Sequence, residues 1–194
     1  MIPWLATRIL ALLGWRLEVE PPPGPKGIIV VYPHTSNWDF PIGYLVKLAM
    51  GLPLSFVGKD TLFRWPVGGL LRRMGGIPAN RRERTGLVGQ LVAEYGRRDW
   101  MWLAISPEGT RGHVSHWKSG FYRLALAADV PVGFAWIDWG ARAVGLHDYF
   151  RMTGDRASDM ERIRAIYAGK RGLRPELAGE IRLEPEEAAW RATV

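Results

Sequence analysis

Three stretches of the chain, residues 28–32, 100–105 and 132–137, are apolar at nearly every position, the mark of strands buried on both faces. Shorter runs over 54–57 and 142–146 predict two further strands. Between them the apolar residues recur at helical spacing over about 39–50, 86–97, 120–128 and 156–169. Strand and helix therefore alternate. This pattern predicts an α/β fold, a single domain with a mostly parallel central sheet flanked by helices. In such sheets functional groups gather where strands hand over to helices.

The first sixteen residues read differently. On a helix Ile2, Leu5, Ile9 and Leu12 share one face, flanked by Trp4, Leu13 and Trp15. The run is too short, and too interrupted by Arg8, to cross a bilayer that needs about 20 apolar residues. It also lacks the basic start and small-residue cleavage site of a signal peptide. Two readings stand. One is an amphipathic helix lying in a membrane interface with its tryptophans at headgroup level. The other is a first helix packed into the core. Pro21-Pro22-Pro23-Gly24-Pro25 then forms a stiff connector. The expected organisation is thus a short amphipathic helix over 1–20, one domain over 21–170, and a charged, weakly patterned tail over 171–194.

With 194 residues and 47% hydrophobic content, one well-filled core is the expectation, and intrinsic disorder is excluded. There are no cysteines, which excludes disulfides, thiolate metal sites and a cysteine nucleophile. The formal charge is +7, with a pI near 10.0. Most of it is local: residues 59–84 hold seven basic and two acidic side chains. The same stretch carries Leu62, Phe63, Trp65, Val67 and Leu70. Basic and apolar residues together, without an RNA-binding signature, fit an anion with a lipid tail better than nucleic acid. A solvated basic face is the competing reading.

Candidate chemistry follows the buried strands. After residues 28–32 comes Pro33-His34-Thr35-Ser36-Asn37-Trp38-Asp39. A five-residue step turns an ideal helix by about 140°, so His34 and Asp39 cannot share a helical face. They can meet only if His34 lies in the turn and Asp39 in the first helical turn. There the helix dipole favours the carboxylate, which can accept the imidazole Nδ1–H and leave Nε2 as a base. A loop histidine beside a capping aspartate is the alternative. After residues 100–105 comes Ser106-Pro107-Glu108-Gly109-Thr110-Arg111, read either as a ligand-facing loop or as a turn with a surface Glu–Arg ion pair. Between the two lies Gly75-Gly76-Ile77-Pro78-Ala79-Asn80-Arg81-Arg82, whose glycines and arginines suit a phosphate. His113-x2-His116 has possible metal-ligand spacing but no further Cys or His nearby, so no metal is expected.

In order, spacing and residue type these segments resemble the glycerophospholipid acyltransferases, whose best-known members are 1-acyl-glycerol-3-phosphate acyltransferases. His34-x4-Asp39 matches the first block of that family, residues 75–81 the second, and residues 106–111 the third. Val130-Pro131-Val132 is similar to the fourth. Lys59 and Lys118-Ser119-Gly120 also fall where family members carry such residues. The chain departs from the pattern at Asn80, where Asp is usual, at Ser106, where Phe is common, and at Phe134, where a second proline is usual.

The resemblance implies a direct acyl transfer. His34 would deprotonate an acceptor hydroxyl, which attacks an acyl thioester of coenzyme A or acyl carrier protein. Asp39 would orient His34. Glu108 and Gly109, with Thr110 beside them, would position the acceptor, and Arg81, Arg111 and Lys59 would hold its phosphate. No bound cofactor is implied. The acceptor would be a lysophospholipid, first of all 1-acyl-glycerol-3-phosphate giving phosphatidate, with a lyso-ornithine lipid as the alternative. A non-catalytic lipid-binding module is the competing class. The expected location is peripheral, on the cytoplasmic face of a membrane.

Overall fold

The computed structural model describes residues 2–79 and 84–185. Its sheet holds β1 (Arg16–Val19), β2 (Lys26–Val31), β3 (Ser55–Lys59), β4 (Gly76–Ala79), β5 (Met101–Ile105), β6 (Val132–Asp138) and β7 (Ala143–Phe150). The helices are α1 (Ile2–Leu12), α2 (Asp39–Met50), α3 (Gly68–Arg73), α4 (Arg84–Arg97), α5 (Gly120–Ala128) and α6 (Arg156–Tyr167). Strand order is β1-β7-β6-β2-β5-β3-β4, and every neighbouring pair is parallel except β6 with β7. The expected α/β architecture with a mostly parallel sheet is what the chain adopts.

Successive strand residues point to opposite faces, and both faces are covered. Ile28 and Val30 of β2 join Leu103, Phe134 and side chains of α4, α5 and α6 in one cluster. On the opposite face Ile137 and Val144 pack against Ile42 and Val46 of α2 and Leu10 of α1. Burial on both sides explains why the central strands read as unbroken apolar runs. The elements that sequence periodicity missed are peripheral. β1 and β4 are the two edge strands, four residues each, and β4 includes Pro78, which only an edge tolerates. β7 continues to Phe150, beyond the expected 146, because its second half is only partly covered and loses the apolar pattern.

Helix α1 packs into the core on one side, as the second of its sequence readings expects, and is uncovered on the other. Ala6 and Leu10 are buried at its contact with α2, whereas Ile2, Leu5 and Leu12 stay exposed. No helix among the described residues is long and apolar enough to cross a membrane. The segment set apart as a charged tail is, over 171–185, part of the fold. Leu183 bridges to Trp117, and Glu184 Oε1 accepts the Ser119 N–H at 2.9 Å.

Candidate active site

β2 and β5 are hydrogen-bonded neighbours in register, so the loops at their carboxyl ends meet. One loop carries His34 to Asp39, the other Ser106 to Arg111. The chain turns from His34 into α2, which begins at Asp39. This puts the imidazole in the turn and the carboxylate in the first helical turn. His34 Nδ1 lies 3.2 Å from Asp39 Oδ2. The contact is not aligned as a hydrogen bond, as is common for catalytic pairs before substrate tightens them.

Asp39 is 3% exposed and held from three sides. Its Oδ2 accepts the Ser36 N–H at 2.8 Å, and its Oδ1 accepts the indole N–H of Trp139 at 2.8 Å. Burial alone would raise its pKa. The nearby His34 ring, with the donors Ser36 and Trp139, outweighs burial and holds the carboxyl below its ordinary range. The site therefore keeps a carboxylate facing a histidine that lines a cavity.

Glu108 is not where the sequence places it. Neither a surface ion pair nor an acceptor-facing side chain, it is 1% exposed, beneath the His34 loop. Its Oε2 accepts the backbone N–H of His34 at 2.8 Å, and its Oε1 that of Gly179 at 2.8 Å. Both oxygens are thus engaged by the protein, and the carboxyl braces the backbone of the histidine. Burial pushes its pKa up to about 7, against the two N–H donors, with the Asp39 charge adding to the rise.

The cavity beside His34 has a volume of about 900 Å³, at the upper end of the usual range for small-molecule sites. One arm runs between α2 and the sheet and is walled by Val46, Met50, Leu54, Ala104, Ala135 and Leu146. Lys59, Thr110, Arg111 and Lys118 line it too, and they are exposed, marking its open side. Arg111 also donates from Nε to the Ser36 carbonyl at 3.2 Å, tying the two loops together. Gly109 lines the cavity with φ of 66°, a conformation that favours glycine. Arg81 and Asn80 lie outside the described residues. His113 and His116 are engaged separately, at 3.3 Å from the Ala178 carbonyl and 3.0 Å from Ser115 Oγ.

Trp139 and Gly179 are the positioning groups that sequence reasoning missed. Neither sits in a motif, and they reach their partners Asp39 and Glu108 from 100 and 71 residues away in the chain. Trp139→Phe is the sparing test, because the ring also packs edge-on against Trp15 at 5.0 Å. Phenylalanine keeps an aromatic there and removes the N–H aimed at Asp39. The expected loss is about 1.5–3 kcal/mol of unfolding free energy, the worth of a hydrogen bond to a charged group. Urea denaturation would read it, and unchanged stability would show that Ser36 and His34 suffice to hold the carboxylate.

Comparisons with known proteins bear on this arrangement. No curated protein sequence matches the chain significantly. Among solved structures the fold is similar to the crystal structure of the 1-acyl-sn-glycerophosphate (LPA) acyltransferase PlsC from Thermotoga maritima. The TM-score is 0.57 at 18% identity, over 87% of this chain and 77% of that one. A family model described as Acyltransferase matches residues 18–137, which include the His34 and Glu108 loops and the three central strands. With more than half of its length matched, the chain belongs to the acyltransferase family.

Proposed function

We propose that this acyltransferase moves a fatty acyl group from a thioester of coenzyme A or acyl carrier protein to the hydroxyl of a lysophospholipid. The preferred acceptor is 1-acyl-glycerol-3-phosphate, and the product phosphatidate. The observation that carries the reading is the His34–Asp39 pair set at the wall of a cavity with an apolar arm and a cationic open side. Mere lipid binding has no need of an oriented base.

With Nδ1 turned to Asp39, His34 Nε2 takes the proton of the acceptor hydroxyl as its oxygen attacks the thioester carbonyl. Asp39 stabilises the imidazolium. When the carbon–sulfur bond breaks, the imidazolium returns that proton to the departing thiolate. Glu108 braces the His34 backbone, and the apolar arm accommodates an acyl chain. Arg111 and Lys59 hold the acceptor phosphate, with Gly109 and Thr110 beside it, and the resemblance gives Arg81 the same role. A lipid acceptor places the reaction at a bilayer surface, and a peripheral position on the cytoplasmic face fits both substrates.

One observation favours a second acceptor. Ser106 Oγ is buried at the cavity without a hydrogen-bond partner. An amide-bearing acceptor such as a lyso-ornithine lipid would supply one. Thioester release measured with a panel of lyso-acceptors tests both readings: turnover with none of them would overturn the function proposed.

The arginines give a further prediction. Arg81→Ala and Arg111→Ala should each weaken use of a phosphate-bearing acceptor by about 1.5–3 kcal/mol, the worth of a charge-assisted contact. The KM for the thioester should change less. Losing donor affinity while keeping acceptor affinity would show that these arginines serve the other substrate.

A further inference from the structure

We propose that the ledge between β3 and β4 is the surface that seats this protein on an anionic phospholipid bilayer. The proposal rests on the lipid-acceptor reading above and goes further, to the face that meets the lipid.

After β3 the chain makes one 3-10 turn, Asp60–Phe63, and then α3. Phe63 pins this ledge from beneath. It is 4% exposed, and three glycines make room for it. A Cβ would lie 2.9 Å from its ring at Gly58, 2.6 Å from its ring at Gly76, and 2.0 Å from its carbonyl oxygen at Gly68. Arg72 donates to the Phe63 carbonyl at 3.1 Å and stacks 5.6 Å over the ring. The ledge is therefore a fixed platform.

Its upper side is apolar and uncovered. Leu62 is 52% exposed, Trp65 93%, Val67 52% and Leu70 60%. So much exposed apolar surface on a short segment marks a contact site, and tryptophan is the side chain that membrane interfaces favour. Around it Lys59, Arg64 and Arg73 are exposed and enter none of the ion pairs among the described residues. From residue 59 to residue 75 the chain holds Lys59, Arg64, Arg72 and Arg73 against one acidic side chain, Asp60. Apolar groups ringed by unpaired cations complement an anionic bilayer, which draws basic residues to its surface. The exposed side of α1 has one basic residue, Arg8, and lacks that complementarity.

The ledge also borders the cavity. Lys59, Leu62, Phe63 and Leu71 belong to both. A bilayer touching the ledge therefore lies against the cavity's open side, and a lysophospholipid enters from the lipid layer.

The test uses the full chain and sedimentation with vesicles of phosphatidylglycerol and phosphatidylcholine, against phosphatidylcholine alone. The double variant Trp65→Ser with Leu70→Ser should bind the anionic vesicles at least tenfold more weakly. Arg64→Gln with Arg73→Gln should weaken binding and flatten its dependence on salt. None of these four residues lines the cavity. Turnover of a short-chain, water-soluble lyso-acceptor and the melting temperature should therefore stay unchanged in both variants.

Wild-type binding to anionic vesicles by both ledge variants would overturn the proposal. So would loss of binding in Ile2→Ser with Leu5→Ser alone, which would assign the contact to α1. Self-association lost in the ledge variants with vesicle binding intact, read by analytical ultracentrifugation, would make the ledge a contact between copies. If no lyso-acceptor is turned over while vesicle binding still follows the ledge, the acceptor reading fails and the docking surface stands.

Discussion

Replacing His34 with alanine is expected to lower acyl transfer by at least about 10²-fold and leave the fold intact, the loss typical of removing a general base. The structure makes this substitution unusually clean. The His34 ring forms no aligned hydrogen bond that the fold depends on. Its backbone N–H, which Glu108 receives, survives in alanine. Asp39 keeps its donors Ser36 and Trp139. A purified His34→Ala protein should therefore melt near the wild-type temperature and release little thioester. Asp39→Asn is a harsher change. It weakens acceptors used by two buried donors and offers the imidazole an amide, which favours the wrong tautomer. Both turnover and stability should fall. Near-normal turnover in folded His34→Ala would end the mechanism.

How far the sequence carries the site follows from where burial falls. The central strands β2, β5 and β6 are covered on both faces and announce themselves as apolar runs. The edge strands β1 and β4 bury too little to do so. His34 and Asp39 are near neighbours in the chain, so the strand-to-helix turn that joins them is legible in one dimension. The meeting of their loop with Glu108 is not, because it needs β2 and β5 to be adjacent in the sheet. A glutamate beside glycine reads as surface, since buried carboxylates are rare. Only the tertiary fold shows it sealed between two backbone N–H groups. The apolar cavity is invisible for a related reason. Ala104, Ala135 and Leu146 look in sequence like any core residues, and the wall of an acyl-sized channel has the same composition as a filled core.

Glu108→Gln is expected to lower turnover by about 10-fold to 100-fold, because the amide keeps one acceptor oxygen where two backbone donors need one each. A buried backbone N–H left without its acceptor costs about 1–3 kcal/mol, and one of the two belongs to His34, the proposed base. The variant also separates the brace from its charge through pH. The Glu108 pKa is pushed up to about 7 from 4.5, chiefly by burial. Between those values the native chain holds a proton that the unfolded chain has released. This contribution to stability is thus fully present below about pH 4.5 and is lost as pH rises through about 7. Glutamine cannot titrate. Wild type should therefore exceed the variant in unfolding free energy most clearly near pH 5. By pH 8 the gap should narrow by roughly 2 to 3 kcal/mol, from the size of the shift. Urea denaturation of both proteins across this range reads the difference directly, because every other titrating group is common to the two. A gap that stays constant from about pH 5 to pH 8 would mean that Glu108 is ionised throughout, held as a full carboxylate by the His34 and Gly179 N–H groups, and that its charge is part of the brace.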